Sequence, residues 1–181
     1  LRPANLSTFM YPFELHLTTT ALPADRLDAF GAACRQFGAR PLLIELTRGA
    51  VTQQPMLSKM QRLPDLATAL LLAADDARQL QTAGFAVQRV KIEVPAEAAP
   101  LATPAAGPAY RPYFEWHGKV AYEHPAELLA TCQRLGAHLS VNALKNDPHT
   151  RFVTLREYGP PALFEARVAA LLRALQLRWP V

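Results

Sequence analysis

The chain repeats parts of its own sequence, and this self-similarity restricts the fold more than any single motif does. Segment 11–16, Tyr-Pro-Phe-Glu-Leu-His, is echoed by segment 111–117, Arg-Pro-Tyr-Phe-Glu-Trp-His, and both contain Phe-Glu-x-His. Segment 34–39 is echoed by segment 132–137 in the pattern Cys-x-x-apolar-Gly-Ala. The two matches occur in the same order, at offsets of 101 and 98 residues. Two matches nearly in register predict a tandem duplication.

Composition indicates where the two copies are joined. The chain has 16 prolines against 8 glycines, and many of the prolines fall between residues 95 and 112. An Ala/Pro-rich segment of this kind is typical of an extended linker. We therefore predict a first repeat over 11–94, a linker over 95–111 and a second repeat over 112–181.

Hydrophobic periodicity changes in the same order in both halves and predicts the series βαββαβ in each. The first half is predicted to contain strands over 13–18, 41–47, 55–61 and 87–94 and helices over 23–38 and 64–84. The second half is predicted to contain strands over 114–120, 139–144 and 152–158, helices over 125–135 and 161–175, and a last strand near Trp179. This order is the ferredoxin-like plan, so the predicted fold class is α+β, with antiparallel sheets and helices on one face.

Alternation along the strands predicts which side chains stand on the open face of each sheet. Phe13, Leu15 and Leu17 are expected under the helices, so the residues between them point the other way. The first repeat thereby presents Glu14, His16, Thr18, Arg89, Lys91 and Glu93, and the second presents Glu115, His117, Lys119, Thr154 and Arg156. Polar faces of this kind are expected to be solvated or to bind a ligand.

A net charge of +4 favours a small anionic partner, carrying a phosphate or a carboxylate. Three cations near the predicted loops suit such a ligand, namely Lys59 in the first repeat and Lys145 and Arg151 in the second. The alternative is that these loops are ordinary hairpin connections.

The two Phe-Glu-x-His motifs place His16 and His117 at equivalent points. Two imidazoles that face one cleft can divide acid and base work on a phosphodiester. The strand containing His16 and Thr18 resembles the His-x-Thr motif of the two-histidine (2H) phosphoesterases. That resemblance implies a duplicated α/β fold, catalytic roles for His16 and His117, and a phosphate-binding hydroxyl at Thr18. In the second repeat Lys119 occupies the position of the hydroxyl and is expected to hold the phosphate instead.

Three other interpretations use the same residues. The polar faces are typical of solvated cross-strand charge ladders. They also suit a non-catalytic ligand-sensing or protein-interaction module, with a partner protein or a second copy bound through a sheet face. A metal-dependent enzyme would use Glu14 with His16 and Glu115 with His117. Because residues i and i+2 of a strand lie about 6.5–7 Å apart, one such pair does not chelate an ion by itself, and the preferred interpretation includes no metal and no other cofactor.

Several classes of function are disfavoured. The sequence has no Gly-rich dinucleotide motif, no P-loop, no Gly-x-Ser-x-Gly and no His-Glu-x-x-His. Specific nucleic-acid binding is not expected, because the charge is dispersed and the aromatic residues Phe13, Phe114 and Trp116 fall on the inward-facing set. No membrane association is expected, because the longest apolar stretch, 67–74, is far shorter than the roughly 20 residues of a membrane span. Two cysteines without a CxxC motif favour a reducing compartment, the bacterial cytoplasm.

Overall fold

The structure, a computed structural model, describes residues 9–102, 112–145, 147–179 and Val181. Its strands and helices, in chain order, are β1 (Tyr11–Thr19), α1 (Ala24–Gln36), β2 (Arg40–Leu46), β3 (Gln53–Leu63), α2 (Leu66–Thr82), β4 (Val87–Glu93), β5 (Phe114–Ala121), α3 (Pro125–Arg134), β6 (Ala137–Asn142), β7 (Thr150–Glu157) and α4 (Pro161–Gln176). The predicted mixed α/β fold with antiparallel strand pairing is confirmed. Within the described ranges, no helix is long and apolar enough to cross a membrane.

The chain divides into two compact units. Unit 1 is drawn from Leu1–Pro41 and Met56–Gly107, and unit 2 from Leu42–Pro55 and Pro108–Val181. In unit 1 the strands lie in the order β4-β1-β3 and are accompanied by α1 and α2. In unit 2 the order is β2-β6-β7-β5, accompanied by α3 and α4.

Unit 1 folds around the apolar side of its central strand. Phe13, Leu15 and Leu17 alternate along β1 and are completely buried, as predicted, against the apolar faces of α1 and α2. Helix α2 begins at Asp65, whose carboxylate accepts a hydrogen bond from the backbone N–H of Thr68 at 2.7 Å, an N-cap that satisfies one of the unpaired donors of the first turn. The core therefore fixes which side chains of β1 face the other way.

Unit 2 has a core of the same type. Its buried apolar residues come from three strands, two helices and the segment that follows α4: Val120, Leu128, Cys132, Ala137, Leu139, Val153, Leu155, Leu171, Leu175 and Trp179. Helices α3 and α4 each begin with a proline, Pro125 and Pro161, whose fixed φ suits the first turn and whose missing N–H costs nothing there. Trp116 packs on this core and Phe114 stacks on Phe164 of α4, with ring centroids 5.4 Å apart. Both aromatic side chains thus face inward, as predicted.

The structure differs from the predicted repeats in two ways. No strand forms near Trp179, because the backbone N–H groups of Arg178 and Trp179 both donate to the carbonyl of Leu175 at the end of α4. The fourth strand of unit 2 is β2, which pairs antiparallel with β6. Residues 42–55, predicted to belong to the first repeat, therefore cluster with the second half of the chain.

The predicted linker over 95–111 is described only in part. Its first residues form a 3-10 helix, Ala96–Ala102, and residues 103–111 lie outside the described ranges. Whether the two halves descend from one duplicated unit stays a prediction.

Candidate functional site

The polar side of unit 1 contains the residues that alternation predicted. Across β1 and β4, Glu14 lies opposite Glu93, His16 opposite Lys91 and Thr18 opposite Arg89. Directly paired residues of an antiparallel sheet share a face, so these six side chains belong to one surface. The expectation that this surface is solvated is wrong for two of them. His16 is only 9% exposed and Thr18 only 5% exposed, since β1 is the central strand and is flanked on both edges.

Glu14 is the best anchored group on this face. Its Oε1 accepts a hydrogen bond from the hydroxyl of Ser58 on β3 at 2.8 Å and lies 3.4 Å from the guanidinium of Arg40. The Nε2 atom of His16 lies 3.8 Å from the same oxygen and 3.6 Å from Oε2 of Glu93. One imidazole is therefore held between two carboxylates.

Glu93 carries its negative charge in a largely buried position. Burial acts to raise the pKa of this carboxyl group, but the imidazole of His16 and the ammonium of Lys91, which forms an ion pair with it, lower the pKa below its usual range. Two neighbouring polar atoms, Nδ1 of His16 and Oγ1 of Thr18, are buried and have no hydrogen-bond partner among the residues that the structure describes.

The polar side of unit 2 contains a relay of three side chains. Across β5 and β7, Glu115 lies opposite Arg156 and His117 opposite Thr154. Nε2 of His117 lies 2.8 Å from Oε1 of Glu115, and Nδ1 of the same ring lies 3.0 Å from the hydroxyl oxygen of Thr154. The guanidinium of Arg156 donates to the other oxygen of Glu115. A neutral His117 that donates Nε2–H to Glu115 presents Nδ1 as the acceptor for the Thr154 proton.

A second histidine stands beside this relay. His138 on β6 lies opposite Thr154 from the other side, so Thr154 is flanked by His117 and His138. Burial, followed by the positive charges of Arg48 and Arg156, holds the pKa of His138 below its usual value of 6.5, although Glu115 acts in the opposite direction. From the sequence, His138 was expected to be incidental, because the strand was predicted to begin just after it, at Leu139.

Two of the cations predicted to bind a ligand in unit 2, Lys119 and Arg151, have partners within that unit. Lys119 lies 3.0 Å from Asp147, whose carboxylate also accepts the Thr150 hydroxyl at 2.7 Å. The hydrogen bond from Thr150, and after it the one from Lys119, lowers the pKa of Asp147 well below its usual range, although partial desolvation acts to raise it. Arg151 donates to the carbonyl of Thr150 at 2.7 Å and stacks over a tyrosine ring. Lys145 is exposed at the end of a short 3-10 turn. Roles for these cations in ligand binding stay predictions.

Lys59 was predicted to follow a loop and to suit an anionic ligand. It lies within β3, where the strand over 55–61 was predicted, but on the helix side of the sheet, where it is paired with Leu15 in register. Its Nζ contacts both carboxylate oxygens of Asp76 on α2, at 2.8 and 3.1 Å, and both side chains are buried. The ammonium of Lys59 is thus neutralised inside unit 1 and is turned away from the polar face.

The predicted catalytic pair, His16 and His117, is divided between the two units. Each histidine does lie beside the glutamate of its own Phe-Glu-x-His motif, Glu14 or Glu115. The hydroxyl that the His-x-Thr pattern lacks at Lys119 is present next to His117 from another strand, as Thr154. That His16 and His117 act together stays a prediction.

Comparisons with known proteins give little further information. No protein-family model matches the chain, and no curated protein is similar to it in sequence. Among solved structures, the chain is similar to the crystal structure of a protein assigned as a chlorite dismutase, with a TM-score of 0.34 and 10% sequence identity. The match covers 93% of this chain and 89% of the other. Similarity at this level supports no inference about function, so the proposals below are based on the geometry of each unit.

Proposed function

We propose that the protein binds a small anionic molecule on the polar face of unit 2 and cleaves or transfers a phosphodiester there by acid and base catalysis. The observation that carries this proposal is the placement of His117 and His138 on either side of Thr154. Neighbouring strands lie about 4.8 Å apart, so the two backbone positions are separated by about 10 Å. Imidazoles that extend from those positions can reach one phosphate held above Thr154.

Electrostatics favours an anion at this position. The guanidinium groups of Arg48 and Arg156 both act on His138, as the direction of its pKa shift indicates. Glu115 is the carboxylate that faces them, and it is occupied by Arg156 and His117. Two guanidinium groups and one carboxylate leave a positive charge near His138, which an anionic ligand would balance.

The two histidines are suited to different roles. His138, with its lowered pKa, is neutral near pH 7 and can accept a proton from the attacking hydroxyl or water. His117 is oriented by Glu115 in the way that a carboxylate orients the histidine of a catalytic triad, and the carboxylate stabilises the imidazolium that donates a proton to the leaving oxygen. In the imidazolium form, Nδ1–H of His117 is the proton given to the leaving oxygen and can no longer accept from Thr154, so the Thr154 hydroxyl donates its hydrogen bond to a non-bridging phosphate oxygen. The proton taken by one ring is thus balanced by the proton given by the other.

A second candidate function follows from the 3.0 Å contact between Thr154 and Nδ1 of His117. Hydroxyl, imidazole and carboxylate in this series are the arrangement of nucleophilic catalysis. In that case Thr154 attacks the substrate, His117 removes its proton, and a covalent enzyme intermediate forms on an ester or phosphoester. The two candidates share His117 and Glu115 and differ in the role of Thr154.

Binding and turnover should be measured separately. Inorganic phosphate is titrated against the full chain by calorimetry, and hydrolysis is followed with bis(4-nitrophenyl) phosphate and 2′,3′-cyclic nucleotides, with 4-nitrophenyl acetate for the ester alternative. We expect His117→Ala and His138→Ala each to lower the rate by about 10²-fold or more. His149→Ala, which changes an exposed histidine of a loop in the same unit, should be unaffected. Phosphate binding without turnover of any substrate would favour the ligand-sensing alternative.

His16→Ala distinguishes the proposed pair from the one predicted by the duplicated motif. If catalysis belongs to unit 2 alone, this variant retains the wild-type rate. A loss equal to that of His117→Ala, with His138→Ala unaffected, would contradict the proposal and support His16 as the second catalytic histidine.

A further inference from the structure

Two glutamates stand directly opposite each other in unit 1. Glu14 of β1 and Glu93 of β4 are paired in register, and like charges in such a pair destabilise a sheet unless a cation lies between them. His16, two residues along β1 on the same face, directs Nε2 toward one oxygen of each carboxylate. The three donor atoms lie within 4.8 Å of one another. The cluster therefore offers one nitrogen and two oxygens to a single point.

The distances in this cluster are slightly longer than those of a coordination shell. Nε2 of His16 lies 3.8 and 3.6 Å from the two carboxylate oxygens. Both distances exceed the roughly 2.7–3.2 Å of a usual N–H···O hydrogen bond. Bonds of about 2.0–2.2 Å from a metal to nitrogen and oxygen ligands place neighbouring ligands about 3.0–3.6 Å apart. Small side-chain movements would bring all three donors to that separation.

Burial distinguishes the cluster from an exposed acidic patch. The His16 residue is nine-tenths buried, and its Nδ1 has no hydrogen-bond partner among the described residues. Native proteins rarely leave a buried polar atom in this state. The nearby hydroxyl of Thr18 is also buried and lacks a partner within the described ranges. His16 is thus a buried side chain that combines an unpartnered Nδ1, among the described residues, with an Nε2 that faces two carboxylates.

The surrounding groups are suited to support a metal ligand and to compete with a metal. Ser58, fully buried, donates to Oε1 of Glu14 and so fixes the orientation of that carboxylate, as outer-shell partners do in metal sites. Lys91 forms an ion pair with Glu93, and Arg40 lies 3.4 Å from Glu14. These cations neutralise the two carboxylates when no metal is bound. Lys91 contacts Oε1 of Glu93 and leaves Oε2 facing His16, so its positive charge opposes a metal ion without occupying the donor oxygen.

We propose that Glu14, His16 and Glu93 form a binding site for a divalent transition-metal ion. An imidazole with two carboxylates suits Zn²⁺, Mn²⁺ or Fe²⁺ rather than Ca²⁺ or Mg²⁺, which prefer oxygen ligands alone. Three protein ligands leave at least one coordination position for water or for an anionic ligand. All three ligands belong to unit 1.

Zn²⁺ and Co²⁺ are the probes for the experiment. The full chain is stripped with a chelator and titrated with Zn²⁺ by calorimetry, and with Co²⁺ by visible absorption, which reports coordination directly. We expect one equivalent to bind to unit 1. Glu93→Gln, which keeps the size of the side chain, and His16→Ala should each weaken binding at least tenfold, as loss of a ligand does. Glu97→Gln and His149→Ala are matched controls at exposed positions and should bind like the wild type.

Lys91→Gln provides the opposite test. Since the ammonium of Lys91 lies against Glu93 and repels a second cation there, its removal should increase the affinity for Zn²⁺, whereas a variant that merely misfolds would lose it. Far-UV circular dichroism of each metal-free variant confirms that the fold is retained. The proposal is overturned if the wild type and Lys91→Gln both fail to bind Zn²⁺ or Co²⁺. It is equally overturned if Glu93→Gln and His16→Ala bind the metal as tightly as the wild type.

Discussion

The hydroxyl oxygen of Thr154 lies 3.0 Å from Nδ1 of His117, and the other nitrogen of that ring lies 2.8 Å from Glu115. Three side chains from two strands thereby form a continuous polar relay across the sheet of unit 2. The relay combines a group that can donate a proton, a ring that can carry one and a carboxylate that fixes the ring. Its position beside His138 is the basis of the proposed function.

Thr154→Val removes the hydroxyl and keeps the shape of the side chain. If Thr154 holds the phosphate, the variant should raise KM for a phosphodiester by about tenfold, the worth of one hydrogen bond, and change kcat little. Thr154→Ser, which keeps the hydroxyl, is the control and should resemble the wild type. A fall in kcat of about 10²-fold or more, together with a mass-detected substrate adduct that only the hydroxyl-bearing proteins form, would assign Thr154 as the nucleophile instead.

The pKa of His138 predicts the acidic limb of the pH profile. Because burial and the charges of Arg48 and Arg156 lower this pKa below 6.5, the ring remains a base to a lower pH than an ordinary histidine. The plot of kcat/KM against pH should therefore fall only below pH 6.5. Arg48→Gln removes one of the two charges and should move the limb to higher pH. A limb that does not move in this variant would contradict the assignment of His138 as the base.

The same shift predicts how stability depends on pH. Below pH 6.5 a histidine in the unfolded chain binds a proton before His138 does in the folded protein. The unfolded state then holds more protons, so the free energy of unfolding decreases as the pH falls from 6.5 toward the folded-state pKa. Urea unfolding of wild type and His138→Gln across this range measures the effect, and the variant should show the weaker dependence on pH. An equal dependence in the two proteins would contradict the shift.

Lys59 and Asp76 should contribute to stability and not to ligand binding. Removing one member of a buried ion pair leaves an uncompensated charge, so Asp76→Ala is expected to lower the free energy of unfolding by about 3–5 kcal/mol. The double variant Lys59→Met with Asp76→Leu removes both charges and should lie much closer to the wild type. Asp75→Ala alters the neighbouring exposed pair with Arg78 and should cost about 0.5 kcal/mol. Denaturant unfolding gives the free energy of unfolding of the wild type and the three variants. Equal losses for Asp75→Ala and Asp76→Ala would contradict the buried pair.

Both cysteines are expected to be chemically inert in the folded protein. Burial raises the pKa of Cys34 to about 12 and that of Cys132 to about 11, and each side chain lies in an apolar core. Because the thiolate is the reactive form, a disulfide reagent at pH 8 should label neither residue within minutes. Both should react after addition of denaturant. Rapid labelling of the native protein would show that the cores open readily.

Local pattern was sufficient for most of the secondary structure and for the faces of β1, β4, β5 and β7. Alternation along β1 placed Phe13 and Leu15 in the core and His16 on the opposite side, because a strand reverses the direction of its side chains at every residue. The helix ends followed from proline and glycine. These properties depend on residues close together in the chain, so the sequence determines them directly.

Long-range pairing could not be predicted in this way. Three features depend on how distant strands pair, which no local signal specifies. They are the position of β2 in unit 2, the pairing of Glu14 with Glu93 and the contact between His117 and Thr154. His138 was missed for a related reason. The predicted boundary of β6 was two residues late, and an alternation that included Ala137 and Leu139 as core residues would have placed His138 on the polar face.

The most direct test of the central claim is a double-mutant cycle on the two histidines of unit 2. kcat/KM for bis(4-nitrophenyl) phosphate is measured for the wild type, His117→Ala, His138→Ala and the double variant. Residues that serve one reaction are strongly non-additive, so the proposal predicts a large loss in each single variant and little further loss in the double variant. Turnover that is unchanged by either substitution, or losses that simply multiply, would contradict a joint acid and base role for His117 and His138.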